Sequence, residues 1–301
     1  MYKLNTKREK AHDDAIWSVV WTARNEIITS SCDESVKVWN PDDLGKPLHV
    51  LNTQELAVIS VAVDPTGNQI VSSCMDGYLR VHRLDSPDGK EPTLKKINAG
   101  PLEAWTVTRH PKEDVVATGN HAGGINIYDL KGLIKKGNFE SEGKFTMSVL
   151  YSPCGTMLAS GSFDGEVKLF DTASGKLLHK LARHNKAVRA LAFSPDSKYL
   201  LSGSDDMNIH VYETHRGQQL GTLSGHLSWV LSVAFNATGT HFASSSSDKK
   251  IKVWNFRERE CVHTFDAHSH QVWGVTFNPE GTKLASVSED MSLLVFDCKA
   301  E

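Results

Sequence analysis

Short runs of alternating apolar and polar residues, each closed by a turn signal, fill this chain. Val188 to Phe193 is followed by Ser194-Pro-Asp-Ser-Lys198, Tyr199 to Ser204 by Asp205-Asp-Met207, and Asn208 to Tyr212 closes the unit. A period of two marks half-buried strands, and the Pro, Asp, Gly and Ser clusters between them mark hairpins. No stretch sustains a helical period, so the class is all-β. The runs also recur: Asp164, Asp206, Asp248 and Asp290 lie 42 residues apart, each followed six residues later by an aromatic (Phe170, Tyr212, Trp254, Phe296). The same step before Asp164 reaches Ala122 with Tyr128, and two earlier units carry Asp76 with His82 and Asp33 with Trp39. Seven such units of four strands predict a seven-bladed β-propeller, whose radial closure leaves only short sheet edges.

Four of the units are further marked by a His at their opening (His12, His184, His226, His268). A Ser or Thr stands four residues before the Asp position in all seven: Thr29, Ser72, Thr118, Ser160, Ser202, Ser244 and Ser286. Together with the Asp and the aromatic, these positions resemble the WD-repeat family over nearly the whole chain. The resemblance implies a hydrogen-bonded tetrad in which the Asp ties the His to a tight turn and the Ser or Thr bridges His to Trp. A completed buried network is stiff, whereas an unpaired buried polar group costs about 1–3 kcal/mol. Two units carry the full set, His12/Thr29/Asp33/Trp39 and His226/Ser244/Asp248/Trp254. Unit two has Gln54 and His82 instead, unit three Gly100 and Ala122, and unit four Glu142, so these three are expected to be held mainly by apolar packing. The last unit ends with three strands. The segment around Tyr2 to Arg8, within residues 1–10, is expected to supply its outer strand and make residues 1–301 one domain.

Composition narrows the function. With 301 residues, 40% of them hydrophobic, the chain can bury a substantial core. The net charge of -3 and the dispersed Lys and Arg argue against direct nucleic-acid binding. The N-terminal stretch lacks an apolar signal region and no run of 18 apolar residues occurs, so an intracellular protein without a membrane partner is expected. Five cysteines without a CxxC pair (Cys32, Cys74, Cys154, Cys261, Cys298) predict free structural thiols rather than disulfides or a zinc site. His263, His268 and His270 are close in sequence, but strand alternation splits neighbours between faces and His268 belongs to a tetrad, so no metal is expected. No phosphate-binding loop, nucleophile elbow or HExxH occurs. His and Asp recur once per unit, which suits a scaffold better than a catalytic dyad, so neither enzyme activity, cofactor nor small-molecule substrate is expected. The basic stretch Lys131–Lys136 and the loop Asp85–Thr93 read as solvated connectors.

In a propeller, residues at the start of each innermost strand and the one before the tetrad Asp project around the central channel. Five residues past the unit opening stand Trp17, Ile59, Trp105, Met147, Arg189, Leu231 and Trp273. Three past it stand Ala15, Ala57, Glu103, Phe145, Ala187, Trp229 and Gln271. Before the Asp position stand Cys32, Met75, His121, Phe163, Asp205, Ser247 and Glu289. Four Trp and two Phe on one face predict a protein-binding surface. The residues expected to carry it are Trp17, Ile59, Trp105, Phe145, Met147, Phe163, Arg189, Asp205, Trp229, Leu231, Trp273 and Glu289. A partner segment should set an apolar or aromatic anchor over Trp229, Trp273 and Trp17 and turn a basic residue to Glu289 or Asp205.

Four stretches go beyond the generic unit: AHDDAIWSVVW, AGPLEAWTV, GTLSGHLSWVLSVAF and CVHTFDAHSHQVWGVTFN. They resemble the branch of the family shared by the superkiller complex and the RNA-polymerase-II-associated factor complex. That resemblance implies helicase and TPR-type subunits as partners, roles in mRNA decay and in transcription elongation with histone modification, and residence in nucleus and cytoplasm. Two other readings compete. Trp254-Asn-Phe-Arg257 and Tyr128-Asp-Leu-Lys131 loosely match the motif of substrate receptors of cullin-type ubiquitin ligases, and Phe145 with Phe163 suit a histone-tail reader.

Overall fold

Residues 2–84, 93–141 and 143–298 are described by the computed structural model. They form seven four-stranded antiparallel sheets and no helix. Six sheets are built from four consecutive strands, as in blade five: Val188–Phe193, Tyr199–Ser204, Asn208–Glu213 and Gln218–Ser224. The seventh combines Val272–Phe277, Lys283–Ser288 and Leu293–Cys298 with Tyr2–Arg8, which pairs antiparallel to the last strand from Tyr2↔Cys298 to Arg8↔Leu293. Closure by the N-terminal segment therefore follows the sequence reading.

The core lies between blades as much as within them. Ile16, Val19, Ile27 and Trp39 of blade one pack with Ala285, Val287, Leu293 and Val295 of blade seven. Each sheet buries both faces against its neighbours, which is why the middle strands read as nearly continuous apolar and small residues.

Two local features aim side chains. In six blades the first hairpin carries a β-bulge one residue after its first pair, skipping Trp17, Ile59, Met147, Arg189, Leu231 and Trp273. A bulge re-aims the side chain it sets free, here toward the channel. In all seven blades the turn between the second and third strands has one left-handed residue: Glu34, Gly77, Gly123, Gly165, Met207, Lys249 and Met291. The three glycines belong to blades two, three and four, whose tetrads are degenerate. In the other four blades the tetrad Asp accepts two backbone N–H groups around the turn and holds a residue with a Cβ in this costly conformation.

Candidate functional site

The tetrads come first, because they fix the strands that present the site. In blade one His12 Nδ1 donates to Asp33 Oδ2 at 2.8 Å, Thr29 Oγ1 lies 2.7 Å from His12 Nε2, and Trp39 Nε1 donates to Thr29 Oγ1 at 2.9 Å. A carboxylate can only accept, so the Nδ1 proton is assigned and Nε2 accepts from the hydroxyl. Burial lowers the His12 pKa against the pull of Asp33, and the hydrogen bonds from His12 hold the Asp33 carboxyl well below its usual range against its own burial. Blade six repeats the geometry through His226, Ser244, Asp248 and Trp254.

Blade five completes a tetrad the sequence reading missed: the Tyr212 hydroxyl lies 3.3 Å from Ser202 Oγ, which bonds His184 Nε2, while His184 Nδ1 donates to Asp206. Blade seven has the His268–Asp290 and His268–Ser286 bonds, with Phe296 at the Trp position. The expectation that blades two and three rely mainly on apolar packing is corrected by substitute polar networks. In blade two the Arg80 side chain, fully buried, pairs with Asp76 at 2.6 Å, and Gln54 Nε2 donates to Ser72. In blade three Asn126 Nδ2 donates to the Glu103 carboxylate at 2.9 Å and Thr118 donates to the Glu103 carbonyl. Blade four likewise buries Lys168 against Glu166 at 2.7 Å. A buried polar position that loses its standard partner recruits another rather than staying empty. Glu142 lies outside the described residues.

The bulge residues converge. Trp17, Ile59, Trp105, Thr106, Met147, Arg189, Leu231 and Trp273 line one cavity of about 280 Å³ at the channel mouth. All seven positions read five residues past the unit opening are thus brought together. The Trp17 and Trp273 rings are 6.2 Å apart, and Trp105 meets Phe145 edge-on at 5.1 Å. Trp273 Nε1 and Thr106 Oγ1 are buried without a hydrogen-bond partner among the described residues. An adjoining space of about 200 Å³ shares Trp17, Ile59, Arg189, Leu231 and Trp273 with the cavity and adds Ser18, Ser60, Ser148 and Ser232 to its wall. Ser18 Oγ accepts the Val61 N–H and Ser232 Oγ the Val275 N–H, which stitches neighbouring blades together.

The rim is more varied. Backbone bonds tie the third position to the residue before the Asp, as in Phe163 N to Phe145 O and Ser247 N to Trp229 O. Phe163 is 55% exposed and Trp229 41%, and Leu227, not singled out from sequence, is 85% exposed. Trp229 does not line the cavity; it carries the Arg189 guanidinium 5.0 Å from its ring centroid. Asp205 corrects a sequence expectation. Its carboxylate takes a two-pronged pair from Arg189, Nε to Oδ1 at 2.5 Å and Nη2 to Oδ2 at 2.9 Å, and is 7% exposed, so it is not free for a partner's cation. Glu289 is exposed and accepts Gln271 Nε2 at 2.9 Å. The field there is acidic: burial, then Asp14, Asp33 and Glu289, pushes the Cys32 thiol up to about 12.

Among the described residues, one group has metal-ligand chemistry within reach, His184, Asp206 and His210, with ligand atoms inside 4.8 Å. Both His184 nitrogens are committed to Asp206 and Ser202, and His210 Nδ1 bonds the Tyr212 hydroxyl at 3.0 Å. The group is thus a closed hydrogen-bond network built on the blade-five tetrad. His263 stacks on Tyr2 at 5.1 Å, away from the His268 tetrad. Residues 134–136 of the basic stretch join the outer strand Ile134–Phe139 of blade three, and Asp85–Glu91 with Pro92 lie outside the described residues.

Comparison with known proteins follows the same architecture. The family described as WD domain, G-beta repeat, matches residues 4–40, 45–83, 175–213, 217–255 and 259–297. The anaphase-promoting complex subunit 4 WD40 domain matches residues 107–188. WD repeat-containing protein VIP3 of Arabidopsis thaliana is 36% identical over 170 residues, 50% of this chain and 51% of that protein. WD repeat-containing protein SL1-17 of Schistosoma mansoni is 32% identical over 164 residues, 52% of this chain and 53% of that protein. Mouse striatin is 22% identical over 125 residues, 39% of this chain and 16% of that protein. The chain spans about half the length of the first two relatives. None of these names is an enzyme's.

Proposed function

This chain belongs to the WD-repeat family, and on that premise we propose that it is a non-enzymatic scaffold that grips a segment of a partner protein at the channel mouth. The observation that carries the reading is the cavity walled by Trp17, Trp105 and Trp273 with Ile59, Met147 and Leu231. It is apolar and concave, and it holds two unbonded polar groups, Trp273 Nε1 and Thr106 Oγ1. An apolar or aromatic side chain fills such a site, and a carbonyl of the same segment accepts from the indole N–H. A basic residue on that segment turns to Glu289, since Asp205 is already paired with Arg189.

The finer assignment rests on the four stretches that resemble the subunit shared by the superkiller and RNA-polymerase-II-associated factor complexes. Three of them contain the cavity residues Trp17, Trp105 and Trp273, and the fourth contains the rim residue Trp229. On this reading helicase and TPR-type subunits are the partners, and the protein works in both cytoplasm and nucleus. The test is affinity purification of the full tagged chain with mass spectrometry, alongside a Trp17→Ala/Trp273→Ala double variant. Subunits of those two complexes should be recovered with the parent and lost with the variant. Recovery of a cullin-ligase adaptor or of histone tails would move the function to the competing readings. A partner set unchanged by the double variant would remove the site from the channel mouth.

A further inference from the structure

The turn joining the first two strands of blade four reads Ser152-Pro-Cys-Gly-Thr156, and its counterpart in blade five reads Ser194-Pro-Asp-Ser-Lys198. In blade five the middle position is an anion. The Ser194 hydroxyl donates to Asp196 Oδ1 at 2.6 Å and the Lys198 N–H donates to the same oxygen at 3.1 Å. Blade four places a sulfur where that carboxylate stands. Cys154 Sγ lies 3.2 Å from Ser152 Oγ and 3.0 Å from Thr156 Oγ1, so hydroxyls converge on it from both sides. Donors aimed at sulfur favour thiolate over thiol. Burial pushes the Cys154 pKa up, but the hydrogen bonds from Ser152, Ser197 and Thr156 outweigh it and bring the thiol down to about 6. Cys298, by contrast, is pushed up to about 12 by burial and by Asp297.

Cys154 also opens onto space. It lines a cleft of about 580 Å³ between blades three and four, together with Val115, Ile127, Tyr151, Lys112 and Lys136. Tyr151 is 6% exposed, and its hydroxyl has no hydrogen-bond partner among the described residues. The Tyr151 hydroxyl is thus left for a ligand, and Lys112 and Lys136 are matched on the cleft by Glu113 and Glu140, so the cleft suits a small zwitterionic ligand with carboxylates, an ammonium and amides, and its volume is that of an ordinary ligand pocket.

We propose that Cys154 is a modification site that takes up a small carboxylate-bearing thiol of the glutathione class as a mixed disulfide, with the adduct seated in this cleft. The Cys154 thiolate attacks one sulfur of the symmetric disulfide. A bond forms between Cys154 Sγ and that sulfur, the original S–S bond breaks, and the departing thiolate takes a proton from water. The disulfide is the oxidant, and half of it is reduced as Cys154 is oxidised. Lys112 and Lys136 pair with the carboxylates and Tyr151 bonds the peptide portion. Residue 154 lies past the far end of the Thr146–Tyr151 strand from Met147, so the adduct leaves the channel mouth free.

The test uses the full chain with oxidised glutathione, the adduct being located by peptide mass spectrometry, and iodoacetamide labelling rates across pH. Cys261 is exposed and serves as the internal reference. At pH 6 about half of Cys154 and well under 1% of an ordinary thiol are ionised; the weaker nucleophilicity of a low-pKa thiolate takes back about tenfold, leaving Cys154 roughly tenfold faster. Ser152→Ala and Thr156→Val should raise the inflection of the Cys154 rate profile. Lys112→Gln with Lys136→Gln should slow glutathione uptake while leaving iodoacetamide rates unchanged. Cys154→Asp, which copies blade five, should melt with the parent and so checks the anion-shaped turn if Ser152→Ala does not fold. Faster labelling of Cys261 at pH 6, an ordinary inflection at Cys154, or a destabilised Cys154→Asp would each overturn the proposal.

Discussion

Replacing Asp248 with Ala removes three acceptor contacts at once. Its carboxylate accepts His226 Nδ1 at 2.8 Å, the Leu227 N–H at 2.9 Å and the Lys250 N–H at 2.9 Å. Leu227 and Lys250 border solvent and can bond water, whereas the His226 side chain is fully buried and its Nδ1–H would lose its partner. An orphaned buried donor costs about 1–3 kcal/mol, and loss of the clamp on the left-handed Lys249 adds about 1 kcal/mol, for a total of about 2–4 kcal/mol. In a protein of this size that lowers the melting temperature by roughly 3–6 °C. The comparison is Thr118→Val in blade three, which removes one neutral bond, to the Glu103 carbonyl, and should cost about 1 kcal/mol. Urea unfolding of both variants, followed by tryptophan fluorescence, gives the two losses in one assay. Equal losses at the two positions would refute the claim that the tetrad, rather than generic packing, stiffens the blade.

Deleting residues 2–10 strips the outer strand from blade seven; the truncated chain should melt markedly lower and aggregate, and a parent-like melting curve would contradict ring closure. Trp17→Ala or Trp273→Ala should weaken partner binding at least tenfold, about 1.4 kcal/mol, while Asp196→Ala in a far-side turn leaves it unchanged, both read by calorimetry. His82, lowered by burial and then by Arg80, and His210, lowered by burial and then by His184 despite Asp206, both titrate at about 4 when folded. Unfolded histidines bind protons near 6.5, so stability should fall as pH drops from 6.5 to 4, by on the order of 3 kcal/mol per residue, and His82→Phe should flatten that slope in a melting series. The Asp248 contribution, with its carboxyl at about 2, should persist until pH falls below about 4. Gly165→Ala should destabilise strongly, since its Cβ would come within 2.3 Å of the His184 carbonyl, whereas Lys249→Gly should be nearly neutral by thermal melting.

The architecture was legible because the unit repeats: an Asp every 42 residues in the last four units fixes the register there, the earlier units follow at a similar spacing, and the strand deficit of the last unit points to Tyr2–Arg8. The seven cavity residues were legible for the same reason, since a fixed offset from the repeat places six of them at the same bulge and Trp105 just ahead of the strand Val107–Arg109. What escaped was whatever a single position cannot encode. Tyr212 closes a tetrad because its hydroxyl reaches Ser202, a substitution hidden by looking for Trp. Glu103, Asn120 and Asn126 form the blade-three network from positions that are unremarkable one at a time. The Arg189–Asp205 pair escaped as well: Arg189 is the bulged residue between the pairs Val188↔Ser204 and Ala190↔Gly203, so strand alternation alone does not set it beside Asp205.

The pairing of Tyr2–Arg8 with Leu293–Cys298 imposes an order in time. Six blades use strands that follow one another along the chain, so each can pair soon after its residues are made, but Lys7↔Leu294 joins positions almost the whole chain apart. Until the last strand exists, the first has no partner, and the open ring presents an unpaired edge on blade seven and the uncovered face of blade one. Bringing two such distant segments together is the slowest contact a chain of this topology can make. Completion of the ring is therefore a checkpoint: the Trp17–Trp273 side of the channel mouth, which spans that seam, comes into being only when blade seven closes against blade one.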